Sequence, residues 1–125
     1  MAIRAIIIDD ERLARNELKK LLHDHSDIEV IEEAANVDDG IEKIETLNPD
    51  LIFLDIQMPG KTGFEVLEEL RAREEFKDLK VIVMSNLSQN IDKEKIARFG
   101  VLDYFVKSDV SISELASRIK KALGE

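Results

Sequence analysis

The chain has 125 residues, 44% of them hydrophobic, enough for one core of ordinary domain size, which excludes intrinsic disorder. Its 18 Lys and Arg stand against 27 Asp and Glu, and a net charge of −9 repels nucleic-acid phosphates and anionic membranes, so direct binding to either is not expected. With no Cys there is no disulfide, thiolate metal site or thiol nucleophile, and Asp9 and Asp10 stop the apolar start of the chain short of a signal peptide or membrane span, so a cytoplasmic protein is expected.

Ala5–Ile8 is an unbroken apolar run of the kind buried on both faces of a parallel sheet. Leu13, Ala14, Leu18, Leu21 and Leu22 then recur at helical spacing, with Glu11, Arg12, Arg15, Glu17, Lys19 and Lys20 on the opposite face. Ile28–Ile31 reads as a shorter, more polar edge strand. Val37–Leu47 reads as a second helix with Ile41, Ile44 and Leu47 inward, ended by Asn48-Pro49-Asp50. Leu51–Leu54 is the most apolar strand and halts at Asp55; the turn-rich stretch Gln57–Gly63 follows, and Phe64, Val66, Leu67 and Leu70 open a third helix. Val81–Met84 predicts a fourth strand halting at Ser85. Ser88–Phe99 predicts a fourth helix closed by Gly100, and its sparse stripe of Ile91, Ile96, Ala97 and Phe99 predicts mobility. Val101–Val106 predicts the fifth strand. Ile112, Leu115, Ala116, Ile119 and Leu123 line a last helix capped by Ser111 or Ser113.

Strands and helices in strict alternation call for an α/β doubly wound (βα)5 arrangement, a parallel sheet covered by helices on both faces, and the shorter polar second strand fits an edge position in the order 2-1-3-4-5. In such a sheet the ligand site lies beyond the carboxyl ends of the strands. There the first strand ends in Asp9-Asp10 with Glu11 following, the third in Asp55, the fourth in Ser85 and the fifth in Lys107. Carboxylates crowded at neighbouring strand ends ionise together only beside a cation. A site of oxygen donors without His or Cys, built from few protein ligands and water, suits Mg2+. With Mg2+ and the Lys107 ammonium in place, one carboxylate can attack a phosphoryl group, and Ser85 can donate to one of its oxygens. Singly these residues have bland explanations, an Asp as turn former or helix cap, a Lys as a solvated charge, and only their joint placement carries the inference. His23 and His25, at the end of the first helix, are expected to face solvent, and Met58 to pack within its loop.

The acidic pair Asp9-Asp10, the segment Leu51–Gly63 around Asp55, Ser85 after an apolar strand, and Tyr104-Phe105-Val106-Lys107 together resemble the receiver domain of two-component response regulators, the chemotaxis-regulator-like fold of flavodoxin-like topology. The resemblance covers the whole chain. It implies a phosphorylation switch of a single receiver domain, residues 1–125, with no output domain present. Asp55 matches the phosphoacceptor, taking its phosphoryl group from the phosphohistidine of a sensor histidine kinase or phosphotransfer protein. Asp10, Asp55 and the backbone carbonyl of Gln57 would ligate Mg2+, with Asp9 acting through water. Lys107 matches the lysine that pairs with the phosphoryl group, and Ser85 and Tyr104 match the switch pair that reshapes the face of helix 4, strand 5 and helix 5. The implied downstream partner is a protein target or an output domain, and a homodimer on phosphorylation fits as well as a monomer.

Ser108 stands where the family usually has proline and Asn86 where it has a small residue, and both bear on phosphoryl lifetime. The first half, through Phe64, is similar to regulators with a LytTR-type DNA-binding output, and the segment from Ser85 onward less so. A haloacid-dehalogenase-type phosphatase would place its two aspartates two residues apart, whereas Asp9 and Asp10 are adjacent and position 11 is Glu. A flavin carrier would need an amide-donating phosphate loop where Asp9-Asp10-Glu11 stands. The remaining alternative is a receiver-like binding module that is not phosphorylated.

Overall fold

Each connection between successive strands carries a helix, and so the strands run parallel. In the computed structural model, which describes residues 3–25, 28–56, 63–85, 93–106 and 111–122, they are β1 (Ile3–Ile8), β2 (Ile28–Ala34), β3 (Leu51–Asp55), β4 (Lys80–Ser85) and β5 (Asp103–Val106). Their order is β2-β1-β3-β4-β5, with the more polar β2 at an edge as expected. The helices are α1 (Arg12–His25), α2 (Val37–Leu47), α3 (Gly63–Ala72), α4 (Lys93–Arg98) and α5 (Ile112–Ala122). A single 3-10 turn at Glu74–Phe76, not foreseen from the sequence, tucks Phe76 into the core.

The two-residue period of the strands splits the core into two layers. Ile6, Ile8, Ile52, Leu54, Val81 and Val83 face Val37 and Ile44 of α2, Val66, Leu67 and Leu70 of α3 and Ile96 of α4. Ala5, Ile7, Leu51, Phe53, Ile82, Met84 and Phe105 face Leu18, Leu21 and Leu22 of α1 and Ile119 of α5. The inner strands are therefore apolar on both faces, which is why their runs show no alternation.

Several expectations need correction. Leu13 is 76% exposed, because it lies in the first turn of α1, ahead of the residues that meet the sheet. Ala97 is likewise exposed, leaving Ile96 as the buried anchor of α4 with Phe99 partly covered. β2 runs on to Ala34, past the expected Ile31, with a register irregularity opposite Ala5/Ile6. β5 begins only at Asp103, since Leu102 projects outward. The last helix is capped by Ser111, whose Oγ accepts from the Glu114 amide at 3.2 Å.

The other boundaries have the physical causes the sequence suggests. Asn36 caps α2 by accepting from the Asp39 amide at 2.9 Å, and Asn48 closes it in the left-handed conformation with φ 46°. Gly100 takes φ 66° after α4. Ser88, Ile91 and Leu123 lie outside the described residues. Among the described residues no helix is long and apolar enough to cross a membrane.

Candidate functional site

The carboxyl ends of β1, β3 and β4 deliver their polar residues to one place because the apolar runs end there in register. Ile8 pairs with Leu54, so the next residues, Asp9 just past β1 and Asp55 at the end of β3, emerge side by side. Asp55 is fully buried and Asp9 is 1% exposed. The Asp9 amide donates to the Ala34 carbonyl at 3.0 Å, and its Oδ1 accepts from the Glu11 amide at 2.9 Å, which folds the chain sharply into α1. Past Asp55, the Ile56 amide donates to the Met84 carbonyl at 3.2 Å, keeping Ile56 against β4.

One carboxylate oxygen from each of Asp9, Asp10, Glu11 and Asp55 lies within 4.8 Å of the others. Burial of two of the four prevents water from screening their repulsion. The donor set fits a hard divalent cation: all four donors are carboxylate oxygens, and they converge within 4.8 Å of one another. Glu11, which follows the Asp9-Asp10 pair, joins the cluster and stands exposed at its rim.

Ser85 is fully buried as the last residue of β4, where it pairs with Val106. Tyr104 pairs with Val83 one strand further out and is partly buried against the core. Its carbonyl accepts from Arg118 at 3.1 Å. The same guanidinium reaches Asp103 Oδ1 at 2.8 Å and lies 4.4 Å from the centroid of Phe105, clasping α5 to β5. Gln57, Asn86, Lys107 and Ser108 lie outside the described residues, as does Met58. His23 is exposed, as expected.

Two contributors were not singled out from the sequence. Gly63 begins α3 against the strand end: its amide donates to the Ile56 carbonyl at 3.2 Å, and a Cβ there would stand 2.5 Å from Ile56 Cα and 2.7 Å from the Asp55 carbonyl oxygen. Arg15, apparently a surface residue of α1, donates from Nη1 to the Asp9 carbonyl at 2.6 Å and from Nε to Glu33 Oε1 at 2.8 Å. Helical spacing marks Arg15 as polar and outward, and only the length of β2 brings an acid to it.

A family model for the response regulator receiver domain matches residues 5–120. The chain is 40% identical over 117 residues to the nitrate/nitrite response regulator protein NarL of Escherichia coli K12, covering 94% of this chain and 53% of that one. It is 52% identical over 68 residues to an uncharacterized response regulatory protein of Vibrio cholerae, covering 54% of this chain and 29% of that one. Among solved structures, a DNA-binding response regulator of the LuxR family from Staphylococcus aureus aligns with a TM-score of 0.82 and 35% identity, covering 96% of this chain and 98% of that one. The chain thus spans about a third to a half of the length of these two curated relatives.

Proposed function

Because this chain belongs to the response regulator receiver family, whose members are phosphoacceptor switches, we propose that Asp55 is its phosphoacceptor and that residues 1–125 act as one receiver domain. The observation that carries this is the fully buried Asp55 at the end of β3, within 4.8 Å of three further carboxylates. The donor is the phosphohistidine of a sensor histidine kinase or phosphotransfer protein. An Asp55 carboxylate oxygen forms the new P–O bond as the P–N bond to the imidazole breaks, and the imidazole departs with the bonding electrons and takes up a proton.

Asp10, Asp55 and the Gln57 carbonyl would hold Mg2+, with Asp9 acting through water and Glu11 at the rim of the cluster. When bound, the cation offsets the negative charge that the carboxylates and the phosphoryl oxygens bring together. The Lys107 ammonium pairs with the phosphoryl group. Gln57 and Lys107 take these roles from their sequence positions. The only chemistry catalysed is the domain's own phosphorylation and dephosphorylation.

A phosphoryl group adds one to two negative charges, by order of magnitude, and strong acceptor oxygens at one point. Ser85 donates its hydroxyl to those oxygens, and the Tyr104 ring turns into the space released, changing the face of α4, β5 and α5. That face meets a downstream protein, an output region of the same polypeptide or a second copy of the chain, in the cytoplasm. A net charge of −9 favours a protein over DNA as the direct partner of this domain.

The test is intact mass after incubation with acetyl phosphate, with and without Mg2+, for the native chain and Asp55→Asn. A gain of one phosphoryl group that needs Mg2+ and vanishes in the variant is expected. A native chain that gains nothing would make this a receiver-like binding module without phosphorylation, and a gain that persists in Asp55→Asn would move the acceptor elsewhere.

A further inference from the structure

The backbone of the acidic turn is held from outside the turn. Arg15 is only 12% exposed at its side chain, and its guanidinium joins two fixed acceptors, the Asp9 carbonyl at 2.6 Å and Glu33 Oε1 at 2.8 Å. Glu33 is fixed in turn. It sits on β2 opposite Ile7, its carboxylate also pairs with Lys19, and its own carbonyl accepts from Lys43 of α2 at 2.5 Å. The Asp9 amide is tied to the neighbouring carbonyl of Ala34 at 3.0 Å. Both polar groups of the Asp9 main chain are therefore bonded, the amide to β2 and the carbonyl, through Arg15, to a side chain of β2.

The Asp9 carbonyl belongs to the peptide that leads into Asp10, so its plane sets the direction in which the Asp10 side chain leaves the backbone. A planar guanidinium bonded at both Nε and Nη1 has one orientation, which a flexible ammonium does not. Hydrogen bonds from a charged donor are also the stronger ones. A solvated surface arginine would show neither the low exposure nor the two fixed partners.

We propose that Arg15, braced by Glu33, is a positioning residue of the metal centre: it fixes the Asp9–Asp10 peptide and so aims the two carboxylates at the cation. This rests on the metal site described under the proposed function.

Charge and positioning give opposite signs here, which makes the inference testable. The guanidinium is a positive charge beside a cation site, so by charge alone its removal would tighten Mg2+ binding. If Arg15 positions the ligands, its removal weakens binding, by roughly tenfold for partners that orient metal ligands. Mg2+ affinity of the full chain is measured by isothermal titration calorimetry for the native protein, Arg15→Met and Arg15→Lys, with thermal unfolding in the absence of Mg2+ to verify folding. Weaker binding in both variants is expected, the Lys variant included because it keeps the charge and loses the fork. Unchanged or tighter binding in Arg15→Met overturns the inference. Should that variant fail to fold, native-like affinity in Arg15→Lys overturns it equally. A native chain that binds no Mg2+ would sink the metal site itself and this inference with it, whereas native binding with unaffected variants sinks the inference alone.

Discussion

Gly63 is a residue whose importance lies entirely in an atom it lacks. A Cβ at this position would stand 2.5 Å from Ile56 Cα, 2.7 Å from the Asp55 carbonyl and 3.0 Å from Ile56 Cγ2, and the first two are backbone atoms that cannot swing aside. Gly63→Ala must push α3 away from the strand end that carries Asp55. Overpacking of this kind costs about 1–3 kcal/mol, to be read from urea unfolding, and the displaced acceptor should phosphorylate more slowly with acetyl phosphate. Gly100 supplies the contrast, because nothing lies within 4 Å of a Cβ there and only its φ of 66° resists a side chain. Gly100→Ala should cost about 1–2 kcal/mol and leave the phosphorylation rate alone. In the sequence the two glycines look alike, each beside a helix end. What separates them is a contact with Asp55 and Ile56, seven to eight positions earlier in the chain, that no local pattern contains.

At the scale of elements, β2 and α1 account for most of the difference between expectation and structure. Glu32-Glu33 after Ile31 reads as the end of a strand, yet β2 continues through both to Ala34. It can do so because it is an edge strand and because Arg15 and Lys19 pair with Glu33 and Lys43 with Glu32. Cross-element charge pairing of this sort is invisible to hydrophobic periodicity, whereas the unbroken apolar runs within β1, β3 and β4 were legible at once. The same pairing makes a pH-dependent prediction. Hydrogen bonds from Lys19, then Arg15, hold the Glu33 carboxyl below its ordinary value, against the opposing effect of partial burial. A depressed carboxyl contributes stability that is fully present above the unfolded value of about 4.3 and is lost as pH falls through the lower folded value. These pairs are only partly buried, so Glu33→Gln should lose about 1 kcal/mol of unfolding free energy near neutral pH, and the gap should close as pH falls through the lowered folded value. Chemical denaturation of both proteins across that range measures it. A gap that persists at the acid end would mean that Glu33 acts through packing rather than charge.

For the whole molecule, the strand-end carboxylates were legible because each interrupts an apolar run, and an acid in that position has to be explained by something other than the core. Their convergence required the sheet order, which sets β1, β3 and β4 side by side and leaves the more polar β2 at an edge. What the sequence could not supply was distance, and distance decides the energetics. At an effective dielectric of 20, two unit charges 4.8 Å apart would repel by about 3.5 kcal/mol, so ionising neighbouring members of the cluster together is costly wherever no cation is present. Asp10→Asn removes one of the four crowded carboxylates and should raise the melting temperature of the ion-free chain. Mg2+ reverses the order. A native chain held at a hundred times its dissociation constant gains about 2.7 kcal/mol, and a variant that has lost a direct ligand gains far less. Melting both proteins with EDTA, with MgCl2, and with NaCl at matched ionic strength separates the two effects, since general screening acts on all exposed charges of this acidic chain over about 10 Å and favours neither protein strongly. Equal Mg2+ stabilisation of both would remove Asp10 from the ligand set. A native chain already more stable than Asp10→Asn in EDTA would mean that the four carboxylates do not repel in the ion-free fold as their spacing requires.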